Sequence, residues 1–320
     1  MDRRNVVKSI VVTGALTVRS IACFMMMLSA PVAQAQTQDL GPYIKADQIA
    51  SLTGPSSGPA EPFTIIGNLH SVGGANIAVY MVTTPEGHIL VDTGTTQMTN
   101  AVLGNIQKLG FKLSDVRIIL STQAHFDHVA GHAAIQKATG ASVMAIGDDA
   151  RALEQGKDIS PVETIGWEPV KVARVMKDGD LVVLGGTTLR AMWTPGHTPG
   201  TTTWVTTIED GGKSYNVVLL GSIGPNPGPP MVGNPKFPNL NEDTLGTIRK
   251  LRGLSPDIWL TAHPQAAFAG KIDAMKRGAR PHPLVAEPGA WVRMLDAQQA
   301  NFTKRIEADR TKAAAAPGAR

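Results

Sequence analysis

The chain has 320 residues, of which 42% are hydrophobic, so it has the material for one large domain or two ordinary ones. Its formal net charge is +4, and the first 35 residues account for +3 of this through Asp2, Arg3, Arg4, Lys8 and Arg19. The remaining +1 gives no reason to expect a nucleic-acid partner.

The N-terminal segment has the pattern of a secretory signal peptide. A basic start precedes two apolar stretches between residues 10 and 30, and Ala33-Gln34-Ala35 places small residues where signal peptidase prefers them. We predict a signal peptide over residues 1–35, cleavage before Gln36, and a periplasmic protein without a membrane anchor. An amphipathic N-terminal helix is the alternative. Cys23, the single cysteine, would leave with the leader, which excludes disulfides and thiolate zinc ligands from the mature chain.

Short apolar strand patterns alternate with helical patterns through the rest of the chain. We predict strands at 63–68, 69–72, 76–84, 88–92, 116–120, 142–146, 171–175, 181–184, 188–193, 201–208, 215–220 and 257–260. We predict helices at 97–109, 133–139, 148–154, 242–251, 266–276 and 289–308. The order repeats after about residue 170 without a linker, which predicts one domain over 36–320, made of two similar halves, with a frayed tail from about 311.

One stretch concentrates the polar chemistry of the chain. Residues 121–132 read Ser-Thr-Gln-Ala-His-Phe-Asp-His-Val-Ala-Gly-His and join the predicted strand 116–120 to the following helix. His125, Asp127 and His128 can point into one pocket from such a loop, and imidazole and carboxylate are usual ligands of Zn²⁺. The alternative is a polar loop in which Asp127 only caps the helix.

Two further histidines occupy comparable positions. His197 and His263 each lie in a loop just after a predicted strand and are flanked by proline or glycine. Together with the 121–132 stretch, the chain offers four histidines and one aspartate, enough for one complete zinc site and part of another. Ligands from distant strands favour an enzyme site over a small structural zinc module, whose ligands cluster locally.

These motifs resemble the metallo-β-lactamase fold. The resemblance rests on Gln123-x-His125-x-Asp127-His128, on His197 and His263, and on Asp92-Thr93-Gly94 at a strand end. The segment Thr194–Trp204 is similar to the subclass B3 enzymes in particular, as are Gly67-Asn68, Thr84-Pro85-Glu86-Gly87, Gly221-Ser222 and Pro281-His282-Pro283-Leu284. The similarity extends from about residue 40 to 305 and implies an α/β fold, an αββα sandwich with the site at one edge of the sheets.

The resemblance implies two zinc positions. The first normally takes three histidines, and its residues here are Gln123, His125 and His197. The second takes Asp127, His128 and His263, all of which are present. Because a neutral amide oxygen is a poorer zinc donor than imidazole, we expect the second position to bind zinc more tightly, with one or two zinc ions per chain.

The activity implied is hydrolysis of the β-lactam ring amide, which would confer antibiotic resistance. Zinc lowers the pKa of bound water from about 16 to roughly 7 and so provides hydroxide. Asp127 would bind the metal and orient this water. Ser222 would contact water or the substrate carboxylate, unless it is only a strand-end serine. Asp92 would support the ligands from behind, unless it only forms an Asx turn or a helix cap. We expect a monomer that binds small β-lactam molecules.

Two other functions remain open. The same fold and ligands serve lactonases, thioester hydrolases and phosphodiesterases, although a secretory leader favours the β-lactamase. A catalytically inactive metal-binding relative, with Gln123 as a sign of site decay, is the second alternative. We expect His70 at the rim near the substrate and His132 as an ordinary helix residue.

Overall fold

The first half of the chain forms a seven-stranded sheet in the computed structural model, which describes residues 50–51, 58 and 60–315. Its strands lie side by side in chain order: β1 (Phe63–Ile66), β2 (Leu69–Ser71), β3 (Tyr80–Thr84), β4 (Gly87–Val91), β5 (Val116–Leu120), β6 (Ser142–Ile146) and β7 (Val172–Met176). Strands β1 to β4 pair antiparallel, whereas β4 to β7 pair parallel because helical connections separate them. Strands β4, β5 and β6 therefore end at the same edge of the sheet.

The second half forms a five-stranded sheet in the order β12-β11-β10-β9-β8. Its strands are β8 (Leu181–Leu184), β9 (Thr187–Trp193), β10 (Thr202–Asp210), β11 (Lys213–Leu220) and β12 (Ile258–Thr261). Strands β8 to β11 form an antiparallel meander, and β12 returns parallel to β11 after a crossover helix. The ends of β11 and β12 thus also meet at one edge.

Helices cover the outer face of each sheet. Those that follow strands of the first sheet are α1 (Thr99–Lys108), α2 (Phe126–Val129), α3 (His132–Thr139) and α4 (Gly147–Gln155). On the second sheet they are α5 (Leu240–Leu251) and α8 (Ala290–Ala315). The short helices α6 (Gln265–Phe268) and α7 (Ile272–Lys276) pack instead against the hydrophobic cluster between the sheets, through Phe268 and Met275. Short 3₁₀ turns occupy Thr96–Met98 and Leu113–Asp115.

Three buried hydrophobic clusters separate the four layers. The alternation of side chains along β4 shows the arrangement, since Ile89 and Val91 face the cluster between the sheets and Leu90 faces the helices. A third cluster joins the second sheet to α5 and α8, for example through Ile248 and Leu295. The αββα sandwich predicted from the sequence is confirmed.

The structure differs from the sequence expectations at several element boundaries. Strand β3 begins at Tyr80 rather than 76, and Thr84 pairs with Gly87, so the hairpin turn has two residues instead of three. Helix α8 continues to Ala315, where we expected it to end at 308 and the chain to fray from about 311. Alanine is the strongest helix former, and the alanine-rich end extends the helix.

The predicted signal peptide lies outside the described residues. The residues that the structure does describe belong to one compact unit. Among their helices, none has the length and apolar character needed to span a bilayer.

Candidate metal centre

Three predicted ligands converge at the carboxyl ends of the strands. Asp127 and His128 lie in α2, which follows β5, and His263 follows β12. The Oδ2 atom of Asp127 is 3.2 Å from Nε2 of His128 and 3.5 Å from Nε2 of His263. The three donor atoms lie within 4.8 Å of one another, which lets these side chains share one ion. Asp127 is inside α2 and makes no side-chain cap of that helix, so the capping alternative is not what the structure shows.

Fixed acceptors set the orientation of the histidine rings. Nδ1 of His197 donates to the carbonyl of Gly224 at 2.9 Å, and Nδ1 of His263 donates to the carbonyl of Asn76 at 2.9 Å. Because a carbonyl only accepts, Nδ1 carries the proton in both rings and Nε2 is free to bind a metal. Nδ1 of His128 faces the carboxylate of Asp92 at 3.3 Å, which likewise leaves its Nε2 directed at Asp127.

The residues of the other predicted position also lie together. Gln123, His125 and His197 line one cleft, and the rings of His125 and His197 meet nearly edge to face, with their centres 4.6 Å apart. Nε2 of His125 is 3.7 Å from Oδ2 of Asp158, a fully buried carboxylate that the sequence analysis did not single out. At this distance Nε2 lies beside the carboxylate without a hydrogen bond to it.

Gln123 makes a hydrogen bond that limits its value as a ligand. Its Oε1 atom accepts the backbone N–H of Ser222 at 3.0 Å, which also fixes the amide orientation, since only the oxygen can face that donor. A metal ion at this position would have to share the oxygen with Ser222. The structure therefore places Gln123 at the first position and gives it a competing structural contact.

The donor set fits zinc. Two imidazole nitrogens and one carboxylate oxygen form a three-ligand arrangement of the kind that catalytic zinc sites use, with a fourth position open. Nε2 of His128 is buried, and its contact with Oδ2 of Asp127 lacks hydrogen-bond geometry, an unfavourable state that a metal ion between the two atoms would relieve. Asp127, His128 and His263 are thus suited to hold the ion, and His125 and His197 would contribute to a second one.

The electrostatics of the cluster favour a cation. Burial raises the pKa of the Asp127 carboxyl, but the neighbouring His128, His263 and His125 outweigh this and hold it well below its usual range. Burial lowers the pKa of His128, but Asp127 and Asp92 outweigh this and raise it to about 10. Asp127 is therefore ionised at neutral pH, and a metal ion must displace a proton from His128.

Asp92 supports the cluster from behind. It adopts a positive φ of 64°, and its carboxylate accepts the backbone N–H of Thr122 at 2.7 Å and the Thr122 hydroxyl at 2.6 Å. Its contact with His128 joins the end of β4 to the ligand loop. Asp92 makes no side-chain cap of the following helix, and its contacts with His128 and Thr122 fit the predicted supporting role.

Asp149 is a second support that the sequence analysis missed. This buried residue of α4 accepts the backbone N–H groups of Ala124 and Gly200 and the hydroxyl of Thr198, at 2.8, 2.7 and 2.6 Å. It therefore ties the loop that carries His125 to the loop that carries His197. The sequence shows only an acidic pair at a helix start, which is ordinary on a protein surface.

The site opens into a cleft of about 670 Å³. Ser222 lines it, as predicted for a residue that contacts the substrate, and so does Thr164.

His70 does not line the cleft, because its ring is buried on the first sheet between the hydroxyls of Thr64 and Thr83, each 3.1 Å away. The expectation that it lies at the rim is wrong. His132, the first residue of α3, is buried and bonded to Thr93 and Ser121.

Comparison with known proteins gives a consistent result. The family model of the metallo-beta-lactamase superfamily matches residues 72–263. A probable metallo-hydrolase of Burkholderia pseudomallei is 30% identical over 36% of this chain, and a hydroxyacylglutathione hydrolase of Rhodopseudomonas palustris is 30% identical over 42% of it. These matches span only 39% and 46% of the lengths of those two relatives.

Solved structures match over a longer stretch. Native FEZ-1 metallo-beta-lactamase from Legionella gormanii is 34% identical with a TM-score of 0.75, covering 81% of this chain and 100% of that one. BJP-1 from Bradyrhizobium japonicum, a subclass B3 metallo-beta-lactamase, is 37% identical with a TM-score of 0.73, covering 80% and 97%. A Cronobacter sakazakii metallo-beta-lactamase with a HARLDQ motif is 31% identical with a TM-score of 0.75, covering 81% and 99%. By its fold, its converging ligand side chains and these matches, the chain belongs to the metallo-beta-lactamase superfamily.

Proposed function

We propose that this hydrolase cleaves the amide bond of β-lactam rings with the help of bound zinc. The convergence of Asp127, His128 and His263 beside an open cleft, which Asp127 and His263 line, carries the proposal. The subclass B3 neighbours support it, because their similarity covers nearly their whole length, whereas the curated hydrolases match over less than half of theirs.

Zinc bound there supplies activation of water and stabilisation of negative charge, which amide hydrolysis requires. The chain itself supplies orientation. Asp127 stays ionised at neutral pH and directs a water molecule through its carboxylate, while the carbonyls of Gly224 and Asn76 hold His197 and His263 in place. Ser222 borders the cleft. We propose that it contacts water or the substrate carboxylate there.

We further propose that one zinc ion suffices. The second position has a complete set of ligands, whereas Gln123 shares its oxygen with Ser222. Measurement of zinc content against activity tests this proposal. Full activity that requires two tightly held zinc ions per chain would show that the single-ion proposal is wrong.

The test of the proposed function is turnover by the purified protein. We expect hydrolysis of a chromogenic cephalosporin, loss of activity with a chelator and recovery with added zinc. Asp127→Asn should lower kcat by at least about 100-fold, whereas Asp148→Asn makes the same chemical change at an exposed carboxylate and should leave activity unchanged. Zinc binding without turnover of any penicillin, cephalosporin or carbapenem would instead support an inactive metal-binding relative.

A thioester hydrolase is the second candidate, because a hydroxyacylglutathione hydrolase is among the relatives. Parallel assays with a glutathione thioester and the cephalosporin distinguish the two activities. The higher kcat/KM identifies the function that the site performs.

Export and resistance complete the proposal. We propose that the leader directs the chain to the periplasm, where β-lactams reach it, and that it acts there as a monomer. A mature N-terminus at Gln36 and raised β-lactam tolerance of an expressing host are the expected results.

A further inference from the structure

Helix α8 forms one wall of the cleft. The residues of α8 that line the cleft are spaced three or four apart and so lie on one face of the helix: Asn301, Phe302, Arg305, Ala308, Asp309 and Lys312. Among the described residues that line the cleft, Arg305 is the one arginine and Lys312 is the one lysine. Both cations beside the metal centre therefore come from the C-terminal helix.

Arg305 is held rigidly at this wall. Its Nη1 donates to the carbonyl of Pro225 at 2.8 Å, its Nη2 donates to the carbonyl of Asn226 at 3.1 Å, and its guanidinium carbon lies 5.4 Å from the centre of the Phe302 ring. A guanidinium has five N–H groups, so three remain without a partner among the residues that the structure describes. Partial burial lowers the pKa of Arg305, yet a guanidinium stays protonated at physiological pH.

The loop that Arg305 contacts is part of the metal centre. Gly224, next to Pro225, accepts the hydrogen bond from His197. Gly224 has a φ of +64°, and a Cβ atom at this position would overlap the Phe302 ring, so the loop lies directly on α8. The guanidinium of Arg305 therefore contacts the two residues that follow Gly224, whose carbonyl orients His197.

The facing loop has no cation of its own. Residues 221–230 contain neither lysine nor arginine, and the following Lys236 is paired with Glu163. On α8, the carboxylate of Asp309 accepts the backbone N–H of Met231 at 2.6 Å, so this negative charge is directed at the loop. Asp309 also interacts electrostatically with Arg305. The cleft-facing charges of α8, two positive and one negative, leave an excess of one positive charge on this wall, opposite the carboxylate of Asp127.

We propose that Arg305, assisted by Lys312, forms an anion subsite that binds the carboxylate carried by the substrate. This inference rests on the proposed function, because β-lactam antibiotics carry such a carboxylate on or near the lactam ring. The guanidinium is preorganised by its two carbonyl contacts, offers free N–H groups and faces the same cleft as Ser222. A preorganised guanidinium binds a carboxylate through charge-assisted hydrogen bonds.

The competing interpretation is that Arg305 only fixes the loop through Pro225 and Asn226. Two substrates distinguish the roles: a chromogenic cephalosporin and its methyl ester, which lacks the negative charge. For Arg305→Gln we expect KM of the acid to rise about 10- to 100-fold, while KM of the ester changes less than about twofold. Arg305→Lys keeps the charge and should weaken binding of the acid by a smaller factor.

Arg310→Gln is the matched control, since Arg310 is exposed on the same helix and does not line the cleft. It should leave both substrates unaffected. Equal changes for acid and ester in Arg305→Gln, with the unfolding temperature lowered, would assign Arg305 to the loop alone and overturn the subsite.

Failure of the proposed function can be distinguished from failure of the anion subsite. If the wild-type protein turns over neither the acid nor the ester, calorimetric binding of the same two molecules still tests the subsite. Preference for the acid that disappears in Arg305→Gln supports the inference. Absence of any preference in the wild-type protein refutes it.

Discussion

Replacement of Gln123 by histidine should convert the first metal position from weak to strong. In the wild-type protein an ion at this position shares Oε1 of Gln123 with the Ser222 N–H, which is 3.0 Å away. Loss of a buried hydrogen bond costs about 1–3 kcal/mol, which corresponds to about 5- to 150-fold in an equilibrium constant. Imidazole is also the better zinc donor. We therefore expect zinc to bind at the first position of Gln123→His at least about tenfold more tightly than at the first position of the wild-type protein.

The assay is zinc titration of the metal-depleted protein, with the bound metal counted after dialysis. Gln123→Glu is the matched variant, since it keeps an oxygen for the Ser222 N–H and adds a negative charge. Both variants should strengthen zinc binding at the first position. Binding at the second position should stay unchanged, because Asp127, His128 and His263 are untouched. Two ions of comparable affinity in the wild-type protein, or a second ion that responds to neither variant, would refute the reasoning.

Three other substitutions test the supports of the site and the fold. Asp92→Asn should weaken zinc binding about 10- to 100-fold, measured as a dissociation constant, because it removes the charge that faces His128 while asparagine still tolerates the positive φ. Asp149→Asn should lower the free energy of unfolding by about 1–3 kcal/mol in denaturant titration, since its amide N–H₂ would face donors of the two ligand loops. Burial, with a smaller effect from His88, lowers the pKa of His70 to about 4, so the unfolded state binds more protons between pH 4 and 6.5. Stability should therefore fall as the pH drops through this range, by up to about 3 kcal/mol from His70, and the denaturation midpoint of His70→Gln should depend less on pH.

The sequence was sufficient to predict which side chains converge, because each of them follows an apolar strand. Strand patterns place residues 125–128 at the edge of the first sheet and residue 263 at the edge of the second sheet. The resemblance to a known family added the order of the sheets. Both kinds of information concern the backbone and the side chains next to it.

The supporting residues other than Asp92 could not be predicted because they depend on contacts between distant segments. Asp149 acts on loops at residues 124 and 198–200, and Asp158 faces His125 across a loop of irregular structure. Neither carboxylate has a local pattern that separates it from a solvated acidic residue. Arg305 is similar, since a basic residue in a terminal helix normally faces water, and only the packing of α8 against residues 224–226 places it in the cleft.

The contacts that hold His125 and His197 indicate that the first position keeps the geometry of a metal site, although Gln123 is a weaker donor than histidine. His125 faces Asp158, His197 is bonded to Gly224, and Asp149 joins the two loops, although Gln123 stands where the family pattern has histidine. Buried imidazoles and carboxylates without a cation cost stability, because each unpaired polar atom gives up its hydration. A chain with no use for a metal would gain by replacing them with apolar residues of similar size. The cluster is therefore best explained as a candidate cation site, and we expect the residue at position 123 to set how many ions it holds.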